Sequence, residues 1–315
     1  MTFNTFYHNK PVLVTGGCGF IGSQLVKLLV TFGAQVTIID NLSTGSLSNI
    51  TTIRDHIRFL QDDITDINAC VKAAKNQQII FHLAAFTAVN HSMTMPQQCH
   101  QTNITGTLNM LDAARQQQTN KFIFSSSAAV YGANQTICNE ETMCNPTSIY
   151  GWSKLMGEQL CNQYQTFYNL KTVILRYFNV YNIEQYLNDQ NNPSPTIIAQ
   201  LCNRMQRNLP IIIFGDGSQT RDFVPLSEVI YANIIAGALE TTTTNEIFNI
   251  ATGKSISLLH LIEQLQKLFP NFNQPIQFAP ARPGDIMHSR AHCTKYHALR
   301  SRYQDVLPTV PNELI

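Results

Sequence analysis

The feature that most restricts how this chain can fold is a set of three glycines near its start. Thr15-Gly16-Gly17-Cys18-Gly19-Phe20-Ile21-Gly22 follows a short apolar run, residues 12–15, and opens a helix-length segment, residues 21–32. Gly16 permits a sharp turn, Gly19 lets the backbone approach a pyrophosphate, and Gly22 lets helix and strand pack closely. N–H groups at the start of a helix then face the phosphate charge. A strand, this turn and a helix are the opening unit of a parallel sheet that binds a dinucleotide at its edge. Asp40 ends the second apolar run, where a carboxylate accepts the ribose hydroxyls of an adenosine and repels a 2′-phosphate. The expected cofactor is therefore NAD rather than NADP. Arg54 and Arg58 do not directly follow Asp40, where a phosphate clamp would stand.

The rest of the first half extends the same pattern. Residues 12–15, 36–40, 57–60, 79–83, 122–125 and 173–177 read as buried strands, each short, apolar and followed by polar or glycine punctuation. Helix-length segments at 21–32, 66–75 and 103–117 lie between them. The expected fold is α/β: a doubly wound parallel sheet (Rossmann) over residues 1–179. After 179 the rhythm changes. A polar stretch at 188–195 reads as a loop, followed by a helix near 196–207, a strand near 211–214, a helix near 226–239, a strand near 248–250 and a helix near 258–268. Residues 180–315 read mainly as a smaller α/β substrate-binding lobe, with some elements returning to the main sheet.

Composition limits what such a chain can do. With 315 residues, 44% of them hydrophobic, it can build one large domain, or one domain with a smaller lobe. The net charge is +1 and no stretch concentrates Lys or Arg, so nucleic acid and acidic membranes are not expected partners. Eight cysteines form no C-x-x-C pair and no ligand cluster with His, so no metal is expected and the thiols suit the reducing cytoplasm. No apolar run is long enough to span a membrane, and residues 1–10 have no signal core.

A second motif concerns chemistry. Phe124-Ser125-Ser126-Ser127-Ala128-Ala129-Val130-Tyr131-Gly132 follows a strand, and Tyr150-Gly151-Trp152-Ser153-Lys154 places Tyr and Lys four apart, on one face of a helix. Alone, that spacing is a common surface pair; after a dinucleotide turn and a strand-end serine cluster it reads as catalytic. A phenol titrates near 10, so a tyrosinate near neutral pH needs about 4 kcal/mol of preferential stabilisation. A neighbouring ammonium and a positive nicotinamide ring can provide it. Lys154 can also bond the nicotinamide ribose, and Ser127 can donate to the oxygen that becomes a carbonyl.

With these residues the sequence resembles the extended short-chain dehydrogenase/reductase family, and within it the UDP-sugar 4-epimerases. The match continues through Asp63-Ile64, Phe81-His82-Leu83-Ala84-Ala85, Asn103 before Gly106-Thr107, Leu175-Arg176-Tyr177-Phe178-Asn179, Phe214-Gly215-Asp216-Gly217, Arg221-Asp222-Phe223 and Arg282-Pro283-Gly284-Asp285. The resemblance implies that Asp63 and Ile64 flank the adenine and that Ala84, Ala85 and Asn103 line the cofactor cleft. It adds Phe20, Ile21, Asn41, Leu83, Ser125, Tyr150, Lys154 and Tyr177 to the cofactor contacts. Asn179, Arg221 and Arg282 would hold the nucleotide diphosphate, and Asp285 a ribose or sugar hydroxyl. Simpler readings stand beside these: a satisfied core histidine at His82, a helix cap at Asp63, surface ion pairs at Arg221 and Arg282. The apolar faces of 103–117 and of the Tyr150 helix resemble the family's homodimer surface, and packing on their own core explains them equally well.

The resemblance also sorts reactions. Tyr150 would take the proton of the sugar 4-OH while a hydride passes from C4 to NAD, and its return to the other face of a 4-keto sugar inverts C4. Related 4,6-dehydratases carry Asp-Glu where this chain has Ala128 and Ala129, and neither alanine transfers a proton. Ser289, four after Asp285, stands where a large tyrosine restricts relatives to UDP-glucose and UDP-galactose; a small residue there implies that UDP-GlcNAc and UDP-GalNAc are accepted. An ordinary loop serine is the plain alternative. A uronate epimerase, a keto-sugar reductase and a non-catalytic NAD-binding protein remain the competing functions. The chain departs from the family's usual pattern at Asn182-Ile183-Glu184, at Ile149 and in its short end after Pro308.

Overall fold

The computed structural model describes residues 2–133, 137–188, 196–240, 246–281 and 286–307. Twelve strands are present among them: β1 (Pro11–Thr15), β2 (Gln35–Ile39), β3 (Ile57–Leu60), β4 (Ile79–His82), β5 (Lys121–Ser127), β6 (Lys171–Tyr177), β7 (Asn179–Tyr181), β8 (Ile211–Phe214), β9 (Thr220–Pro225), β10 (Glu246–Ile250), β11 (Ser255–Ser257) and β12 (Ile276–Ala279). Seven of them form one sheet in the order β10-β6-β5-β4-β1-β2-β3. Every neighbouring pair in it is parallel.

The strands are apolar on both faces because both faces are covered. Val12, Val14, Val36 and Ile38 pack into the layer built by the helices Phe20–Thr31 and Leu226–Ala238. Leu13, Ile39, Phe122 and Phe124 pack into the opposite layer, with Ile67–Ala74, Gly106–Gln116 and Ile149–Tyr168. Burying one such aliphatic side chain contributes about 2 kcal/mol. Leu226–Ala238 is buried almost all round, as a helix under a sheet must be. It leads to β10, which pairs with β6 although it comes from the second half of the chain.

Strand order reverses between β4 and β1, and in such sheets ligands bind in the crevice beyond the carboxyl ends at that reversal. Gly16, Asp40, Asp63, Ala84 and Ser127 all stand at or just past those ends.

The chain leaves the main sheet at Phe178, whose N–H donates to Ile250 O (3.1 Å), and enters a smaller lobe. That lobe holds the sheet β11-β9-β7, the pair β12-β8, and a core around Tyr181, Ile198, Leu201, Ile211, Phe223 and Leu261. Three details differ from the sequence expectation. Residues 179–181 and 220–225 are paired strands, which alternation could not show because each is short and its partner lies far along the chain. The helix read over 103–117 begins as a wide π turn, Gln101–Thr105, before Gly106–Gln116. Of the stretch read as a loop at 188–195, the first residue ends the helix Ile183–Asn188, and 189–195 lie outside the described residues.

Candidate active site

The glycine turn is held by a clasp from β1. The buried Thr15 hydroxyl accepts from the N–H groups of Leu83 (3.1 Å) and Ala84 (3.0 Å), drawing the end of β4 against the turn. Gly16 has φ +67°, and a Cβ there would stand 2.8 Å from Ala84 N; a Cβ on Gly22 would stand 2.2 Å from Gly16 O. Both positions therefore exclude any side chain. The helix Phe20–Thr31 starts at Gly19 with no side chain capping it, and uncapped N–H groups at a helix start suit a diphosphate.

Asp40 is buried, and its carboxylate ties this turn to the next loop, accepting from Cys18 N (2.9 Å) and Leu42 N (2.8 Å). An ionised carboxylate has about four acceptor positions, so capacity remains for ribose hydroxyls. Next to it, Asn41 Nδ2 donates to Asp63 Oδ2 (2.7 Å), and Asp63 Oδ1 accepts from Thr65 N (2.8 Å). Burial pushes the Asp63 carboxyl up, but the bonds from Thr65 and Asn41 outweigh it and hold the group below its usual value. Ile64 is buried. A glycine cradle, an uncapped helix start and a buried carboxylate with acceptor positions to spare fit NAD.

The serine, tyrosine and lysine set converges at the end of β5. Ser148 caps the helix Ile149–Tyr168 by accepting from Gly151 N (3.0 Å). A Cβ on Gly151 would lie 2.6 Å from Ala129 O, so glycine lets the helix start sit on the turn that follows Ser127. Tyr150 thus stands in a first turn, where the helix dipole favours an anion. Ser127 lies beside the Tyr150 side chain and opposes burial, which pushes the phenol up to about 12. Lys154 is buried; its Nζ donates to Ser125 O (2.9 Å) and lies 5.9 Å from the Tyr150 ring centre. Burial lowers the Lys154 ammonium to about 8. In the protein alone, desolvation therefore favours the neutral form of both groups.

Two of the expected site residues, and the histidine expected in the core, are occupied by protein partners. Asn103 is buried; its amide accepts from Phe86 N (2.7 Å) and donates to Phe86 O (3.0 Å) and Ser153 Oγ (2.9 Å), which fixes the loop after β4 to the Tyr150 helix. The Tyr177 hydroxyl bonds Ser125 Oγ (3.0 Å) and the Asn233 amide (2.8 Å). His82 is satisfied in the core: its nitrogens bond Thr15 Oγ1 and Thr107 Oγ1, each at 3.0 Å. Burial, then the Lys154 charge, lowers its imidazole to about 3, so the ring is neutral. Leu83, Ala84 and Ala85 are half-buried beside the glycine turn.

A second group begins two residues after Tyr177. Asn179 Nδ2 donates to Asp222 O (2.9 Å) across β7 and β9. Arg221 Nη1 donates to Thr220 O (3.0 Å), and Ser289 N donates to the same carbonyl (3.0 Å). Asn179 on β7, Arg221 on the central strand β9 and Ser289 beside Thr220 are therefore gathered at one small sheet. Arg282 and Asp285 lie outside the described residues. Two features were not legible in the sequence. Asp222 is fully buried, and its carboxylate accepts from Thr252 N (2.9 Å), Thr252 Oγ1 (2.7 Å) and Gly253 N (2.9 Å). Ser126, Glu158 and Arg176 form a second buried polar cluster behind the catalytic set. Asp222 and Arg176 each lie inside a recognised motif, which was the only available signal.

Residues 12–251 match the family described as NAD dependent epimerase/dehydratase. The chain is 33% identical over 299 residues, 87% of each protein, to the UDP-glucose 4-epimerase of Erwinia amylovora. It superposes with TM-score 0.85 and 33% identity on the UDP-N-acetylglucosamine 4-epimerase of Methanobrevibacter ruminantium M1 in complex with UDP-N-acetylmuramic acid, covering 93% of this chain and 92% of that one. A variant UDP-glucuronic acid 4-epimerase of Bacillus cereus, in complex with UDP-4-deoxy-4-fluoro-glucuronic acid and NAD, superposes with TM-score 0.84 and 30% identity, covering 96% of this chain and 95% of that one.

Proposed function

The chain belongs to the NAD dependent epimerase/dehydratase family, and from that premise we propose that it inverts C4 of a UDP-sugar, N-acetylated sugars included. The observation that carries this reading is the convergence of Ser127, Tyr150 and Lys154 at the end of β5, directly before Ala128 and Ala129. Tyr150 takes the proton of the sugar 4-OH and later returns it. Lys154 places its ammonium beside that phenol, is held by Ser125 O, and would bond the nicotinamide ribose when NAD is bound. Ser127 donates to the C4 oxygen as it gains carbonyl character. NAD, when bound, supplies the hydride acceptor and a positive ring near Tyr150, and it is regenerated within each turnover. Without a proton-transferring side chain at 128 or 129, the next step open to the oxidised sugar is reduction back at C4 rather than loss of water.

Cofactor contacts in this reading come from Gly16, Gly19, Phe20, Ile21, Gly22, Asp40, Asn41, Asp63, Ile64, Leu83, Ala84, Ala85 and Ser125, with Asn103 and Tyr177 holding the walls. Substrate contacts come from Asn179 and Arg221, together with Arg282 and Asp285. Ser289, half-buried beside Thr220, supports room for an acetamido group. Residues 1–179 serve as the cofactor domain, and 180–315 mainly as the substrate lobe. Leu108, Trp152 and Met156 are large apolar side chains exposed on the helices Gly106–Gln116 and Ile149–Tyr168, which supports a homodimer through that face. All eight cysteines are free, in keeping with the reducing cytoplasm, and among the described residues no helix is long and apolar enough to cross a membrane. The test is to incubate the purified protein with UDP-glucose, UDP-GlcNAc and UDP-glucuronate and to separate the C4 epimers. Epimer formation from UDP-GlcNAc with no net change in NADH supports the reading. Stoichiometric consumption of NADH points to the reductase, and turnover of UDP-glucuronate alone to a uronate epimerase.

A further inference from the structure

Three consecutive serines at the end of β5 meet three residues spaced one turn apart on the neighbouring helix. Ser127 lies beside Tyr150, Ser125 O accepts from Lys154, and Ser126 Oγ donates to Glu158 Oε1 at 2.5 Å. The first two contacts belong to the proposed chemistry; the third does not. Ser126 continues the side of β5 on which Phe122 and Phe124 pack toward that helix. Its register partner on β6 is Arg176. The guanidinium grips Glu158 through two parallel bonds, Nε to Oε1 (2.9 Å) and Nη2 to Oε2 (2.7 Å). Nη1 donates onward to the Tyr131 hydroxyl (2.9 Å) and to Glu140 O (3.1 Å), and Tyr131 donates to Asn249 Oδ1 on β10 (2.6 Å).

Both members of this ion pair are buried, with side chains 4% and 3% exposed. A buried pair is a poor source of stability, since well-packed apolar residues often do as well; what it can supply is a fixed geometry. Glu158 lies four and eight residues after Lys154 and Tyr150, so the three share one helix face. Its carboxylate also faces Lys154, and with Cys99 and Cys161 it opposes the burial that lowers that ammonium. The remaining titratable groups facing Lys154 are His82, from β4, and Tyr150.

We propose that Ser126, Glu158 and Arg176 form a positioning clamp for the reaction: they fix the Tyr150 helix on the ends of β5 and β6 and hold a negative charge one turn from Lys154. Glu158 is a positioning residue, because it acts through Lys154. The inference rests on the roles proposed above for Tyr150 and Lys154. Glu158→Gln keeps the size and the acceptor for Ser126 but removes the charge. Without the carboxylate Lys154 discharges more readily, so the alkaline limb of the kcat profile moves to lower pH. The acid limb stays, because the Glu158 carboxylate bonds Ser126 and Arg176 and not Tyr150.

The test measures C4 epimerisation against pH, together with NAD retained per subunit. For Glu158→Gln the expected result is a fall of about tenfold in kcat, with KM within about twofold and the alkaline limb lowered. Glu158→Gln combined with Arg176→Met leaves no unpaired buried charge; it carries the same readout if the single variant fails to fold, and its alkaline limb is expected to stay lowered. Glu158→Asp keeps the charge and is expected to restore the limb. A wild-type limb in the charge-free variants, or a limb in Glu158→Asp as low as in Glu158→Gln, overturns the clamp. If Tyr150→Phe remains active, it is the reading of the site that fails.

Discussion

In the half proposed to hold the cofactor, the residues proposed to act together lie close in sequence or one strand apart. Gly16, Gly19 and Gly22 form one turn, Tyr150 and Lys154 one helix face, and Ser125 to Ser127 one strand end. In the smaller lobe, Asn179, Arg221 and Ser289 come from three separate segments. They are joined by β7–β9 pairing, by the Thr220 carbonyl, and by the Asp222 carboxylate, which binds β9 to the Thr252-Gly253 turn. The first arrangement sets geometry by local backbone; the second depends on a buried charge. Damage should therefore spread differently in the two.

The largest expected effect is in the cofactor half and is purely chemical. Tyr150→Phe removes the proton-transferring group, so the rate of epimer formation should fall about a thousandfold. Bound NAD and the melting profile should be unchanged, because the Tyr150 hydroxyl is not among the bonds that hold the turn. In the lobe the expected damage is structural. Asp222→Ala removes the acceptor of the part-buried N–H groups of Thr252 and Gly253, at about 1 kcal/mol for each group. The urea midpoint should fall and the KM for UDP-sugar should rise, while NAD retention stays near wild type. Loss of NAD from that variant would mean that the two regions are not separable.

A smaller effect depends on pH and again separates the halves. His82, at the end of β4, is held far below its unfolded value, at about 3. The unfolded chain therefore takes up a proton near 6.5 that the folded chain refuses. The contribution is complete above pH 6.5 and is lost as pH falls toward 3. Melting curves of wild type and His82→Gln should diverge above pH 6.5 and converge below it. The smallest effect concerns selectivity. Ser289→Tyr should lower turnover of UDP-GlcNAc about tenfold while leaving UDP-glucose within about twofold. Equal losses on both sugars would remove Ser289 from the sugar pocket.

The same contrast governs what the sequence reveals. Buried parallel strands are continuous apolar runs and a dinucleotide turn needs glycine at set spacings, so β1 to β6 and the glycine turn after β1 could be read from the sequence. Asn103 shows where such reading stops. Its place beside the cofactor loop was legible, but its amide is taken up by Phe86 and Ser153, from segments far along the chain. The strands β7, β9 and β11 are three to six residues long and pair across the lobe, so neither period nor propensity marks them. Asp222 and Glu158 look like surface acids in a sequence; only burial and distant partners distinguish them.

The central claim is that C4 is inverted by removing and returning a hydride at one carbon. It is tested most directly with UDP-GlcNAc deuterated at C4 of the sugar. The account predicts that the C4 epimer forms with deuterium retained at C4, that no NADH accumulates, and that Tyr150→Phe yields almost none of it. Deuterium lost to water, or an epimer formed at an undiminished rate by Tyr150→Phe, would contradict it.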